Sequence, residues 1–140
     1  RKSIKLMDDV LVYKAQTIER CIKRVQEEYV GFEQELETNF TKQDAIILNI
    51  ERACQACIDM GNHYVKTFKL GIPQSSKDVF QILFSNKIIS NELNKKLQAM
   101  VGFRNIAVHD YSNLNLDILH SIIKNELSEL LEFSKLILLK

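Results

Sequence analysis

Residues that build tight turns are scarce in this sequence, with four glycines and one proline among 140 residues. An all-β sandwich or barrel needs a turn every 8–12 residues, roughly, and this supply is far too small for one. Cysteine is also sparse. Cys21, Cys54 and Cys57 are an odd number without the spacing of a secreted disulfide framework, which fits a reducing cytoplasm. There is no surplus of charge: nineteen basic and eighteen acidic side chains leave a formal +1. A broad basic surface for nucleic acid and a polybasic membrane anchor are both disfavoured. Any action on RNA therefore has to rest on a local site, or on basic surface shared between subunits. Nor is there a membrane-length apolar run, because Lys124, Glu126, Glu129, Glu132 and Lys135 break the segment Leu116–Leu139. The chain opens on Arg1, so an initiator is expected ahead of it, and what stands here contains no legible signal peptide. No G-x-x-x-x-G-K-[ST], no G-x-S-x-G and no metal-ligand cluster occurs, so neither a cofactor nor a metal is expected.

What is present points to helices. Hydrophobic residues make up 46% and charged residues 26%, the balance of an ordinary globular chain. Leu, Ile, Lys, Glu and Gln are abundant. The length suits a single domain spanning residues 1–140. Apolar residues at Met7, Leu11, Ala15, Ile18, Ile22, Val25 and Tyr29 predict a first helix from about Lys5 to Tyr29. Gly31 to Asn39 reads as a loop. Thr41, three residues before Asp44, reads as the cap of a second helix from Lys42 to Leu70. The stripe of that helix runs through Ile46, Ile50, Ala53, Cys57, Gly61 (or Met60), Tyr64 and Phe68, and Ile47, Cys54, Ile58 and Val65 widen it. So broad an apolar arc marks the central helix of a bundle. Gly71 is the expected C-cap, and Pro73 prevents continuation. Ser75 or Ser76 caps a short helix that buries Val79, Phe80, Leu83 and Phe84. Ser90 or Asn91 opens the next, with Leu93, Leu97, Met100, Arg104 and Tyr111 on one line. After a turn at Tyr111–Asn113, Asn115 caps a last helix through Leu119, Ile123, Leu127, Leu130 and Ile137. The expected fold is all-α: an antiparallel bundle of four long helices plus a short one, joined by short connections.

One segment stands out chemically, Arg104-Asn105-Ile106-Ala107-Val108-His109-Asp110-Tyr111. On an unbroken helix Arg104 and His109 lie about 140° apart, while Arg104 and Tyr111 nearly superpose. Arginine offers a planar, permanent cation that matches phosphate oxygens, and histidine exchanges protons near neutral pH. Those are the parts needed to cleave RNA without a metal. A base takes the ribose 2′-OH proton, a cation stabilises the phosphorane, and an acid protonates the leaving 5′-oxygen. A plainer reading uses the same residues, as an Arg and a His closing a helix end against its carbonyls and dipole. Chemistry alone leaves both open.

The segment has the form Arg, four residues, His, one residue, Tyr, with a polar Asn105 after the Arg, preceded by Met100-Val101-Gly102-Phe103. With the earlier run from Ala53 to His63 and the order of long helices, it resembles the HEPN superfamily. Within that superfamily it resembles the HepT-type toxins encoded beside a minimal nucleotidyltransferase (MNT) antitoxin. The resemblance spans essentially the whole chain and implies a HEPN-like bundle. It implies a metal-independent ribonuclease toxin of a toxin–antitoxin module, with Arg104 and His109 catalytic and Asn105 and Tyr111 supporting. It also implies a cytoplasmic homodimer with the two signatures facing each other across a cleft. One His109 per chain cannot be acid and base at the same moment, and a two-fold axis supplies two. The resemblance further implies that the MNT partner transfers AMP from ATP onto Tyr111, which sets a phosphate beside Arg104. The rival it leaves is a non-catalytic HEPN module that binds nucleotide or presents a substrate to a nucleotidyltransferase.

Other residues invite lesser roles. Asp59 and His63 are candidates to line the cleft, against the plainer reading of His63 as a helix-surface histidine. Cys54 and Cys57 form a lone C-x-x-C in mid-helix, which reads as small buried side chains between helices. His120 reads as a solvent-facing residue of the last helix. Lys95 and Lys96 read as a solvated helix face, with guidance of an RNA backbone as the alternative.

Overall fold

The computed structural model describes residues 8–109 and 115–139, and every regular element among them is helical. Helix α1 spans Asp9–Tyr29 and α2 spans Phe40–Thr67. The short α3 spans Ser76–Ser85 and α4 spans Asn91–His109. The last rod consists of α5 (Leu116–Ser121), a π turn (Ile122–Glu126) and α6 (Leu127–Leu139). Four long helical stretches plus a short one form an all-α bundle, as the apolar spacing implies.

Local chemistry sets the ends, in places one turn away from where the spacing alone put them. Asp8 stands in extended conformation and accepts from the N–H groups of Val10 and Leu11, so α1 starts at Asp9. The expected start at Lys5, and Met7 on its stripe, lie outside the described residues. For α2 the cap is Asn39, whose Oδ1 accepts from the Lys42 N–H at 3.0 Å, and not Thr41. The helix thus gains the turn that contains Thr41, with Asn39 serving as the better cap of the two. Its other end comes early, at Thr67. Lys69 takes a left-handed φ of 54°, and the Leu70 N–H donates back to the Val65 carbonyl at 3.0 Å. Lys69, and not Gly71, therefore closes α2 in a Schellman motif. Phe68 leaves the stripe as a result and is 54% exposed. The same device ends α3, where Lys87 (φ 62°) lets the Ile88 N–H donate to the Leu83 carbonyl at 2.9 Å. Ser75 caps α3 and Asn115 caps α5, both at expected positions.

The last helix is not uniform. Leu119, Ile123 and Leu127 recur every four residues, a spacing that drifts by about 40° per step on an α-helix. The wider π turn takes up that drift, and all three side chains are buried.

Helix α2 is the centre of the bundle. Polar pairs along its length show that α1 runs antiparallel to it: Asp8 meets His63, Lys14 meets Asp59 and Glu28 meets Lys42. Cys54 touches α4 at the Met100 carbonyl, and Cys57 touches α6 at the Leu130 carbonyl. At the crossing with α3 and α6 stands Gly61. A Cβ there would lie 2.6 Å from Val79 Cγ1, 3.4 Å from Leu83 Cδ1 and 3.5 Å from Phe133 Cζ. All three neighbours are fully buried, and Val79 is stiff about χ1. Gly61→Ala gains helix propensity of about 1 kcal/mol. It also overpacks the crossing at a cost of about 1–3 kcal/mol. We expect a net loss of stability, read as a lower urea midpoint, with partial recovery when Val79→Ala is added. An unchanged or raised midpoint in the single variant would show that the three helices are free to separate.

Candidate active site

The line that begins at the cap of α4 leads to the site. Ser90 Oγ accepts from the Leu93 N–H at 3.1 Å, and Leu93, Leu97 and Met100 then bury one face of the helix. Arg104, next on that line, is half-buried. Its Nη2 donates to Ser76 Oγ at 3.3 Å, on the first turn of α3. Its Nε is buried and has no acceptor among the described residues. The Cys54 thiol donates to the Met100 carbonyl at 3.9 Å, which fixes the contact between α2 and α4 one turn before Arg104. Glu51, three residues before Cys54, is half-buried as well. Burial raises its carboxyl above the ordinary range, while the nearby Arg104 and Arg52 guanidinium groups pull it down. A partly desolvated guanidinium with one donor unused is suited to take a phosphate oxygen.

Asn105 follows Arg104 and is exposed. Helix α4 persists through His109, so the backbone positions of Arg104 and His109 lie about 140° apart around it. The side chain of His109, and Tyr111 entirely, lie outside the described residues.

Asp59 and His63 both turn toward α1. Asp59 pairs with Lys14 at 3.0 Å and accepts from Gln55 at 2.9 Å, while His63 Nε2 lies 2.6 Å from Asp8 Oδ2. Among the described residues, no hydrogen bond or ion pair joins Arg104 to either of them. The cysteines are free and buried, and burial pushes the Cys54 thiol up to about 12 and the Cys57 thiol well above its ordinary value, so the C-x-x-C is inert packing. His120 departs from expectation. Instead of facing solvent, its Nδ1 lies 2.7 Å from the Tyr29 hydroxyl, because that partly buried phenol needs a polar partner at the end of α1. Lys96 is engaged by Glu129 at 3.4 Å and Glu92 at 3.8 Å. Glu51 and Ser76 were not legible as site residues. Neither belongs to a motif, and only the packing of α2 and α3 against α4 brings them to Arg104.

A groove of about 650 Å³ runs between α4 and the π-turn region, floored by Ala99, Gly102, Phe103, Ile106, Ile118 and Ile122. Ile106 and Ile118 are about half exposed there. Among the described residues, no helix is long and apolar enough to cross a membrane.

Comparison with known proteins gives consistent results. Residues 18–137 match the family model described as Ribonuclease HepT-like. Over 127 residues the chain is 47% identical to the mRNA nuclease HepT of Shewanella oneidensis, covering 91% of this chain and 95% of that protein. Its fold superposes on the tri-AMPylated Shewanella oneidensis HEPN toxin solved in complex with an MNT antitoxin, with a TM-score of 0.91. Identity in that comparison is 45%, with 96% of this chain and all of the other covered. A toxin–antitoxin structure containing AMP-PNP also gives a TM-score of 0.91, at 44% identity, covering 95% of this chain and all of the other.

The Asp8–His63 contact carries a pH dependence. The hydrogen bond from His63 lowers the Asp8 carboxyl below its ordinary range, burial opposes it, and the Leu11 N–H adds to the lowering. A depressed folded-state pKa contributes stability above the unfolded value and loses it as pH falls through the folded one. Asparagine caps a helix as well as aspartate does. Asp8→Asn keeps one oxygen for the cap but replaces Oδ2, which faces His63 Nε2, with an amide nitrogen, so it should lower the urea midpoint at pH 7 through loss of the charge and of that acceptor. The gap to wild type should narrow as pH falls below the aspartate range, whereas a gap constant with pH would remove the charge from the account.

Proposed function

The chain belongs to the ribonuclease HepT-like family, and from that premise we propose that it is the RNA-cleaving toxin of a toxin–antitoxin module. The observation that carries this reading is the unbroken Arg104–Asn105–His109–Tyr111 signature, in a chain that resembles a toxin of this kind over nearly its full length. Arg104 binds the scissile phosphate and offsets the charge that gathers on the phosphorane. His109 takes the ribose 2′-OH proton in one protomer, and its counterpart in the partner protonates the departing 5′-oxygen. The new 2′-O–P bond replaces the 5′-O–P bond and leaves a 2′,3′-cyclic phosphate. No metal or cofactor enters the scheme. Asn105 and Tyr111 orient the substrate.

A homodimer supports this division of labour. Around one α4, Arg104 and His109 stand about 140° apart, so a single chain does not direct both at one phosphate as readily as two facing helices do. The half-exposed Ile106 and Ile118 form an apolar surface beside the signature, of the kind that marks an interaction face. Pairing also gathers two Arg104 cations, which a chain of net +1 needs in order to hold RNA. The compartment is the cytoplasm, where RNA and the partner reside.

Regulation follows from Tyr111. A cognate MNT-type nucleotidyltransferase moves AMP from ATP onto the phenol oxygen with loss of pyrophosphate. The added phosphodiester then occupies the place of substrate phosphate near Arg104 and repels RNA.

Arg104→Ala and His109→Ala should each abolish growth arrest when the chain is expressed without its partner, while both proteins stay folded by circular dichroism. Toxicity retained by both variants would sink the assignment. Co-expression with the nucleotidyltransferase should raise the intact mass by whole AMP units, and Tyr111→Phe should prevent it. A neutralised protein carrying AMP elsewhere, with Tyr111 free, would overturn the regulatory half alone.

A further inference from the structure

Arg104 has an incomplete set of partners. Its Nη2 meets Ser76 Oγ at 3.3 Å, its Nε is buried without an acceptor among the described residues, and no carboxylate lies within ion-pair distance of it there. A buried donor left unmade costs about 1–3 kcal/mol, so its presence asks for an explanation.

The packing supplies a candidate. Helices α2 and α4 meet at Cys54 and Met100. Stepping back one turn on α2 reaches Glu51, and stepping forward one turn on α4 reaches Arg104. Glu51 makes no hydrogen bond and no ion pair among the described residues, although it is half-buried. It is near enough for the guanidinium to favour its charged form. An unpaired carboxylate and an unpaired Nε–H thus stand on facing turns of adjacent helices, while Ser76 on α3 holds Nη2, which shares an edge of the guanidinium with Nε–H.

We infer that Glu51 and Ser76 are positioning residues for Arg104, Ser76 anchoring Nη2 and the Glu51 carboxylate orienting the Nε edge, so that the remaining N–H groups point at a substrate phosphate. A planar guanidinium presents its donors as a fork, and two anchors on one edge fix the direction of the other. The partly desolvated setting makes the Glu51 charge count for more than it would in water. Neither residue touches substrate; both act through Arg104. The inference rests on the proposed role of Arg104 for its consequence in catalysis, but not for the anchoring itself.

Two measurements on the full chain separate these. In ¹⁵N-labelled protein the Arg104 Nε–Hε signal is identified by its loss in Arg104→Lys. Glu51→Gln and Ser76→Ala should each shift that signal and leave those of Arg20, Arg24 and Arg52 nearly in place. With an RNA substrate, each should lower kcat on the order of tenfold with KM little changed, as expected when alignment is lost in the transition state. Either change should have almost no further effect in the Arg104→Lys background. A residue whose substitution leaves the Arg104 signal unmoved has no positioning role, and two unmoved signals overturn the inference. So does a kcat loss that persists undiminished in the Arg104→Lys background, since Glu51 or Ser76 then acts by another route. If Glu51→Gln does not fold, Glu51→Asp and the more peripheral Ser76→Ala carry the test. If wild type cleaves no RNA, the ribonuclease reading fails, while the arginine signals still decide the anchoring.

Discussion

Every long helix in this bundle packs against α2, so the organisation of the molecule depends on keeping the packed faces of α2 slim and apolar. Ile46, Ile50, Ala53, Cys57 and Met60 face different neighbours and are all essentially inaccessible. The small residues Ala53, Cys54, Ala56, Cys57 and Gly61 let those neighbours approach closely. Gly61 is the limit of this series, where the Val79 methyl occupies the space a side chain would need. Close packing of this kind transmits position, because a helix that cannot slide against α2 cannot change which of its residues reaches the end of the bundle. Arg104 stands where it does because Met100, one turn earlier, is pinned to Cys54.

That arrangement places a cation at the end of an apolar line, where it is neither fully solvated nor fully paired. A free surface arginine binds phosphate weakly, since water competes for its donors, and a buried arginine in a closed ion pair has no donors left. The half-buried Arg104, held by one hydroxyl and facing a carboxylate at a distance, keeps unused capacity in a medium of lowered dielectric. A chain with one net positive charge thereby keeps cationic hydrogen-bonding capacity concentrated at one place.

Much of the fold was legible because helices announce themselves by period. The described stripe residues of all four long helices proved buried, from Leu11 on α1 to Ile137 on α6, except for the exposed Phe68 and the half-buried Arg104. The helix ends were harder to read. A Schellman turn at Lys69 and Lys87 depends on a left-handed residue that was not glycine, and the cap of α2 fell on Asn39, two residues before the expected Thr41. His120 was misplaced for a different reason. Its partner Tyr29 lies 91 residues away, and no local pattern records that pairing.

For the site the division is sharper. Sequence by itself determined the all-helical class, the central helix and the Arg104–His109–Tyr111 spacing, because periodicity and fixed offsets along a chain are local properties. Tertiary structure alone decided that Asp59 and His63 turn to α1, that Ser76 meets Arg104, and that Glu51 lies near enough to feel its charge. These are contacts between separate helices, set by which faces pack and at what register. The physical reason is that a helix fixes which residues share a face, whereas the partner of that face depends on how several helices fill space together, and no single stretch of chain contains that information.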